Sequence, residues 1–371
     1  MTVRSIIDID PNFRAASVPF ENVVWRDALG GSFDIRGLYK PLETGTYQRL
    51  PLEFADDERL NAGARRLMFH TAGGRIRFTT NSPYVAVAAE LPHLIAMPHM
   101  PLTGSSGIDL YEGPAGSSKL RFRQIFRPEW KGDASLPHSF EGFYAFPDRK
   151  GEMREVELYL PLYNPVSKIR IGLAPDAVIG EPHPYAAELP VLVYGASVTQ
   201  GGCASRPGNS MPAFLGRMLN VDFISITFSG SAKGEPCLAE YLKTIPHSVF
   251  IYDYDGNAPD LAYLESTHWP FYEIMRSGIG PNVPVIMISL PSNPYRIGNC
   301  PDWGARRDHI MDNYLKARRR GDRVEFIDGE NLYVCDNWDD CTVDGVHPND
   351  LGFRMFAERI EPMLAKCLGM I

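Results

Sequence analysis

One serine in the C-terminal half of the chain lies where a nucleophile for acyl transfer could be presented. Ser197 follows an apolar, β-branched run at residues 191–194, which predicts a buried strand. It precedes Gly201 and Gly202, where the backbone can turn sharply because glycine tolerates dihedral angles that other residues avoid. Ser197 is therefore predicted at the carboxyl end of a strand, where open α/β sheets bind ligands. Serines in this position also cap helices or fill turns, so Ser197 alone does not indicate catalysis. A nucleophilic serine also requires a base, a group that orients the base, and donors for the oxyanion.

Asp344 and His347 have the spacing of a general base and the group that orients it. They lie three residues apart, just before the last predicted helix. At that spacing the carboxylate can hold one imidazole nitrogen while the other points into a cleft and takes the serine proton. A histidine before a proline is otherwise a common turn residue. Of the nine histidines, only His347 has this context, and we predict a Ser197–His347–Asp344 triad.

Three groups could stabilise the oxyanion that a serine nucleophile generates. The backbone N–H of Ser197 is the first, and the N–H of Gly230 is the second, because a residue without a Cβ lets its amide approach a substrate closely. The side-chain amide of Asn257 is the third. Taken singly, Gly230 and Asn257 are equally well explained as turn residues. Their predicted position on the same sheet edge as Ser197 favours the catalytic interpretation.

Three further residues are candidates for contact with substrate. Arg206, nine residues after Ser197, would bind either the substrate or an acidic neighbour. Tyr254 and Trp338 lie near the predicted site in sequence, and either could provide an aromatic platform for a sugar ring. The alternative for both aromatic residues is core packing or the anchoring of a loop.

The elements that must position these residues alternate between strand and helix. The predicted strands are 191–194, 222–228, 248–253, 283–289 and 323–327, and the predicted helices are 210–220, 235–244, 260–277, 303–320 and 350–368. This order predicts a doubly wound, mainly parallel sheet, an α/β/α fold of the flavodoxin-like kind. The loops after its strands leave the sheet at one edge, so the candidate residues are expected to meet there.

The N-terminal half has a different pattern, without a convincing helical period. Residues 75–81, 119–126 and 154–160 alternate between apolar and polar, which predicts strands with one face in a core and one in water, and residues 84–91 predict a more buried strand. Several such strands predict a β-sandwich of the jelly-roll type. The proline-rich residues 174–190 are interpreted as a linker, which divides the chain into domains 1–187 and 188–371.

Composition excludes several classes of function. The net charge of −8 argues against nucleic acid or an anionic membrane as the main partner, because both require basic surface. The N-terminus lacks the apolar core of a signal peptide and no run is long enough to span a membrane, so a cytoplasmic location is expected.

The six cysteines are expected as free thiols, although Cys335 and Cys341 could pair in an oxidising compartment. We expect no cofactor and no metal site, and interpret His99 and the neighbouring methionines as packing residues.

The four catalytic segments, in this order, resemble the blocks of the SGNH hydrolases, also called GDSL-type esterases. The matching segments are Gly195-Ala196-Ser197, Ser229-Gly230, Gly256-Asn257 and Asp344 with His347. Two departures stand out: Ala196 replaces the aspartate frequent in the first block, and Ala258 replaces the aspartate that usually follows the asparagine of the third. Asp253 or Asp255 could then belong to a rearranged loop.

The N-terminal half is similar to the GxDLY domain that precedes a subgroup of these hydrolases, through Gly107-Ile108-Asp109-Leu110-Tyr111. On local grounds Asp109 would stabilise a turn or bind a sugar hydroxyl. The resemblance implies a serine esterase acting on O-acyl esters, commonly acetylated carbohydrates or small metabolites. It leaves open an acyltransferase that passes the acyl group to another hydroxyl. A non-catalytic carbohydrate-binding protein would be expected to lack Ser197, Asp344 or His347. Three roles are open for the sandwich: it could bind a glycan, form one side of the active site, or provide the interface of a homo-oligomer.

Overall fold

A computed structural model describes residues 18–19, 21–130, 132–147, 151–333 and 338–371, without the side chains of 294–296 and 338. The N-terminal part forms two antiparallel sheets, and the C-terminal part forms one parallel sheet with helices on both faces. The predicted fold class, a β-sandwich followed by a flavodoxin-like α/β/α domain, is confirmed. No helix within the described residues combines the length and apolar character that a bilayer span requires.

Ten strands of the described residues build the sandwich. They are β1 (Val24–Asp27), β2 (Asp34–Arg36), β3 (Arg75–Thr80), β4 (Tyr84–Leu91), β5 (Ile108–Pro114), β6 (Arg121–Phe126), β7 (His138–Ala145), β8 (Arg154–Tyr159), β9 (Lys168–Leu173) and β10 (Ile179–Gly180). One sheet has the order β1-β9-β4-β7 and the other β10-β3-β8-β5-β6, with β2 also paired to β3. Alternate residues of facing strands, such as Phe78, Val87, Leu158 and Ile171, fill the space between the sheets.

The parallel sheet has the order β12-β11-β13-β14-β15, in which the first strand of the domain lies second. Its strands are β11 (Val191–Gly195), β12 (Phe223–Thr227), β13 (Val249–Asp253), β14 (Val285–Ile288) and β15 (Val324–Ile327). This order is that of flavodoxin-like folds, and its switch point lies beside β11. Ser197 comes directly after that strand.

Helices cover both faces of this sheet. The α-helices in the part of the chain that the structure describes are α1 (Pro41–Thr44), α2 (Ala62–Leu67), α3 (Leu102–Ser105), α4 (Ser197–Gln200), α5 (Met211–Leu219), α6 (Pro236–Leu242), α7 (Leu261–Ile279), α8 (Pro294–Asn299), α9 (Trp303–Arg320) and α10 (Asp350–Leu368). Val191 and Val193 face α5 and α10, whereas Leu192 and Tyr194 face α6, α7 and α9. Successive residues of a strand point to opposite faces of the sheet. Because consecutive residues of this strand are all apolar, both faces of the sheet are apolar. The predictions for α9 and α10 match to the residue.

The prediction that β3 and β8 expose one face to water is wrong. All six residues of each strand are buried, including Arg75, Arg77 and Glu157. The C-terminal domain covers that face: the Arg75 guanidinium pairs with Asp222 and lies 3.8 Å from the centre of the Phe223 ring. Alternation of charged and apolar residues therefore marks an ion-paired domain interface here, because a buried charge must find a partner.

Two other features of the N-terminal half differ from expectation. Three short helices, α1 to α3, occur where no helical period was recognised, and each is too short for its apolar positions to establish a period. Within the predicted linker, β10 pairs with the end of β3, and the His183 ring lies 3.0 Å from Asn220 Oδ1 in the C-terminal domain. The linker is thus attached to both domains.

Candidate active site

The turn after β11 holds Ser197 at the first position of the short helix α4. The N–H of Ala196 donates to the Asp253 carbonyl at 3.1 Å, and the Thr199 hydroxyl donates to the Asp253 carboxylate. Both bonds attach the turn to the end of the neighbouring strand β13. Because the first N–H groups of a helix have no partner within it, the Ser197 N–H is available to a ligand.

The structure brings His347 and Asp344 to Ser197. The Ser197 Oγ lies 3.0 Å from His347 Nε2, and His347 Nδ1 lies 2.7 Å from Asp344 Oδ2. The other carboxylate oxygen, Oδ1, accepts from the backbone N–H groups of His347 at 2.8 Å and Val346 at 3.0 Å. The loop closes on itself and leads straight into α10, so its geometry is held by backbone hydrogen bonds as well as by the side chains.

Asp344 is ionised at neutral pH. Partial burial opposes the charge, but hydrogen bonds from the His347 backbone, the His347 ring and the Val346 backbone outweigh burial and hold the pKa of Asp344 below its ordinary value. An ionised Asp344 keeps the imidazole proton on Nδ1. The lone pair of Nε2 then faces the serine hydroxyl.

A pocket of about 330 Å³ opens beside Ser197 and is lined by Gly230, Asn257 and His347, among others. Gly230 has φ +67°, a left-handed conformation that favours glycine, and a Cβ there would meet nothing within 4 Å. Its backbone conformation, rather than protein packing, therefore explains the glycine. The Asn257 Oδ1 accepts from the Ala232 N–H at 3.1 Å, which fixes the amide and leaves its nitrogen as the remaining donor.

The loop that carries Asn257 is held by a buried ion pair. The Asp255 carboxylate accepts from Arg306 Nε and from the Leu290 N–H, both at 2.9 Å. Arg306 Nη2 also donates to the carbonyls of Asp255 at 2.6 Å and Ala258 at 3.0 Å. Asp255 thus anchors a third block that lacks the aspartate usual after its asparagine.

Arg206 and Tyr254, two of the three candidate substrate contacts, make contacts within the protein instead. Arg206 adopts the ion-pair alternative: its Nη1 donates to Asp109 Oδ2 at 3.0 Å and to the Tyr111 hydroxyl at 2.5 Å. Tyr254 is 1% exposed and its hydroxyl lies 2.5 Å from Thr267 Oγ1, so the prediction of a sugar platform is wrong for this residue. The Trp338 side chain lies outside the described residues, and so does Cys335.

Asp109 of the sandwich supports the segment that follows the serine. It is fully buried, and its Oδ2 accepts from the Gly208 N–H at 2.9 Å as well as from Arg206. Burial raises the pKa of Asp109 to about 6, against the opposing effects of Arg206 and Gly208. Asp109 therefore stabilises a turn in the other domain, and it is buried away from any sugar hydroxyl.

Sequence reasoning missed the positions that four residues take around the proposed triad. The Tyr163 hydroxyl donates to the Ser197 carbonyl at 3.3 Å, and a Cβ on Gly202 would lie 2.9 Å from that hydroxyl and 3.3 Å from His347 Cδ2. His99 is exposed, with its ring centre 5.8 Å from that of His347, so its interpretation as a packing residue is wrong. Cys203 is buried beside it, and burial, followed by the charge of Asp344, raises the pKa of its thiol to about 12. No local sequence pattern marks these residues.

A serine, a histidine and a carboxylate joined by hydrogen bonds at one edge of a flavodoxin-like sheet have the arrangement of a serine hydrolase. Comparison with protein families gives the same class. Residues 188–365 match the GDSL-like lipase/acylhydrolase family, and residues 23–179 match the GxDLY domain found at the N-terminus of SGNH hydrolase-type esterases. The chain belongs to the SGNH hydrolases that carry this N-terminal domain.

Solved structures share both domains with this chain. A GDSL-like lipase from Bacteroides ovatus is 27% identical, with 94% of this chain and 98% of that chain covered at a TM-score of 0.81. Salicylyl-acyltransferase SsfX3 from a tetracycline biosynthetic pathway is 18% identical (95% and 99% covered, TM-score 0.71). A family two carbohydrate esterase from Cellvibrio japonicus is 12% identical (94% and 98% covered, TM-score 0.56). The last two show a common fold alone. No curated protein matches the chain.

Proposed function

We propose that the protein hydrolyses short O-acyl esters, principally O-acetyl esters of carbohydrates or small metabolites. The observation that carries the proposal is the hydrogen-bonded chain from Ser197 through His347 to Asp344 at the mouth of a pocket. A hydroxyl within hydrogen-bond distance of an oriented base is what nucleophilic serine catalysis requires.

The reaction proceeds in two acyl-transfer steps. His347 Nε2 takes the Ser197 proton as Oγ attacks the ester carbonyl, and the N–H groups of Ser197 and Gly230 and the Asn257 amide bind the oxyanion. The intermediate collapses as protonated His347 gives its proton to the leaving alcohol. Water, deprotonated by His347, then attacks the acyl-serine and releases the acid and the free hydroxyl of Ser197.

The shape of the pocket favours a small acyl group. Its volume, about 330 Å³, is at the lower end of the range for small-molecule sites, and it must hold part of the alcohol as well. Its apolar wall is short and consists mainly of Val198, Leu290, Pro291 and Val346. An acetyl methyl group fits such a wall, whereas a long chain would have to leave the pocket.

The test compares Ser197→Ala with Ser229→Ala on 4-nitrophenyl esters of increasing chain length and on acetylated sugars. Ser229 lines the same pocket but is not part of the hydrogen-bonded chain from Ser197 to Asp344, which makes it a matched control. We expect Ser197→Ala to abolish turnover, Ser229→Ala to retain it, and wild-type kcat/KM to be highest for acetate. Turnover by Ser197→Ala near the wild-type rate would remove the mechanism, and a preference for long chains would remove the acetyl assignment.

Acyl transfer to a second hydroxyl is the competing function, and the two-domain match to an acyltransferase is the observation that favours it. Both activities form the same acyl-serine and differ in what attacks it. Adding sugar alcohols to the acetate assay and separating the products distinguishes them. If product esters form faster than free acid, the assigned function changes from ester hydrolysis to acyl transfer. A fluorophosphonate that failed to label Ser197 would indicate a non-catalytic binding protein.

A further inference from the structure

Two histidines and a cysteine, drawn from both domains, meet beside the catalytic serine. Each of His99, Cys203 and His347 offers a ligand atom, and these atoms lie within 4.8 Å of one another. Within the described residues this is the only group of three such side chains at that spacing. We propose that it is a binding site for Zn²⁺ and that the bound metal switches the esterase off.

The donor set suits zinc. One thiolate and two imidazoles are ligands that zinc takes in tetrahedral sites. Bonds of about 2.0–2.3 Å place tetrahedral ligand atoms roughly 3.3–3.6 Å apart, so the group must contract by about 1 Å. His99 is exposed and can supply that movement by rotating its side chain. The loops of His99 and Cys203 are tied together, because the Thr103 hydroxyl donates to the Ser205 carbonyl at 2.6 Å.

His347 is already arranged as a zinc ligand. Metal-binding histidines commonly donate their second ring nitrogen to a carboxylate, which fixes the tautomer and raises ligand basicity. Asp344 is the corresponding carboxylate here, because its Oδ2 accepts from His347 Nδ1 at 2.7 Å. The Nε2 lone pair is therefore the one offered to the metal, and it is the same lone pair that takes the Ser197 proton.

Binding and catalysis consequently exclude each other. Zn²⁺ would bind His99, His347 Nε2 and the Cys203 sulfur, whose proton leaves to solvent, while the fourth position stays open for water. With Nε2 in a metal bond, Ser197 keeps its proton and does not attack the ester. The inhibition rests on the proposed role of His347, whereas the binding itself does not.

The Cys203 thiol and the His99 imidazole can be removed without changing any of the proposed catalytic residues. His99→Ala removes an exposed side chain. Cys203→Gly removes the thiol at a backbone φ of +74°, where glycine is the residue best suited to the conformation. His93→Ala, in the same loop region but outside the group, and Cys237→Ala, a partly buried free thiol elsewhere, are the matched controls.

Full-length protein is treated with a chelator, and Zn²⁺ binding is measured by calorimetry alongside acetate-ester activity at buffered free Zn²⁺. We expect one Zn²⁺ per chain, inhibition over the same concentration range, and recovery with EDTA. His99→Ala should keep its activity without metal. Loss of one ligand should weaken binding and inhibition by at least about tenfold, since loss of an outer partner alone costs 10–100-fold. The control variants should behave as the wild type.

A Co²⁺-loaded sample gives a readout that is independent of activity. Wild-type protein should show a thiolate-to-cobalt charge-transfer band, and Cys203→Gly should lack it. Ser197→Ala should bind Zn²⁺ while lacking turnover, so an active Ser197→Ala would defeat the proposed function and leave the metal site standing. The metal site is overturned by the absence of stoichiometric binding, or by binding that His99→Ala and Cys203→Gly leave unchanged.

Discussion

Replacing Asp344 with asparagine should abolish most of the activity by putting the His347 proton on the wrong nitrogen. In the native loop, Oδ1 accepts from two backbone N–H groups and Oδ2 accepts from His347 Nδ1. The variant must place its amide oxygen on the two backbone donors. Its amide nitrogen then faces Nδ1 and can only donate, so the ring proton moves to Nε2, 3.0 Å from the Ser197 Oγ.

With the proton on Nε2, no lone pair is left to accept the proton of Ser197. A wrong tautomer of this kind lowers kcat by about 10⁴-fold. At 1.36 kcal/mol for each tenfold change, that is about 5 kcal/mol in the activation barrier. The backbone bonds remain satisfied, so the fold should be retained and KM should change little.

The assay is kcat on 4-nitrophenyl acetate for wild type, Asp344→Asn and the control Asp340→Asn, together with circular dichroism and Tm. Asp340 is exposed shortly before the loop, and its replacement should leave kcat unchanged. An Asp344→Asn variant that folds normally and keeps more than about a tenth of the wild-type kcat, a cost of less than 1.4 kcal/mol, would refute the reasoning.

The same carboxylate predicts a dependence of stability on pH. Because the folded-state pKa of Asp344 lies below its ordinary value, the carboxylate stabilises the fold above the unfolded-state pKa, about 3.9. That stabilisation is lost as the pH falls through the folded-state pKa. The Tm difference between wild type and Asp344→Asn should therefore be largest near neutral pH and shrink in acid. A constant difference would contradict this account.

Three further substitutions test the support around the site. Asn257→Ala should lower kcat by about 10²–10³-fold if its amide binds the oxyanion, with a modest loss of Tm because the Ala232 N–H loses one acceptor, and a loss of kcat below tenfold in steady-state kinetics would contradict that role. Gly230→Ala should destabilise the fold by about 1–2 kcal/mol in chemical denaturation, because φ is +67°, yet keep activity within tenfold since its N–H remains; a larger loss of activity at full stability would show that the missing Cβ matters to the substrate. Asp109→Ala removes hydrogen bonds from Arg206 and Gly208 and should cost roughly 2–3 kcal/mol, whereas an unchanged Tm would show that the interface does not depend on them.

The architecture of both domains follows from local patterns in the sequence. The apolar runs of the parallel strands and the amphipathic helices between them are long enough for their periods to be recognised, and α9 and α10 were predicted to the residue. Ser197, Gly230, Asn257 and His347 could be placed at one edge because every parallel strand ends there. Short elements such as α1 to α3 give no such period.

The domain interface and its contribution to the site depend on contacts distant in sequence. The charged face of β3 looks solvated in the sequence, and only the packed structure shows it buried against Asp222. Arg206 and Asp109 are 97 residues apart, so neither residue indicates the other. Tyr254 follows a strand as Ser197 does, yet its side chain packs into the core.

What the sequence by itself determined is the kind of each element and which residues follow each strand, because hydrophobic period and turn chemistry act over a few neighbouring residues. What the tertiary structure decided is which of those residues meet: His347 with Ser197, Asp255 with Arg306, and His99 with Cys203. Those contacts arise from the packing of whole layers and of two domains, and side-chain direction is set there rather than by the local chain.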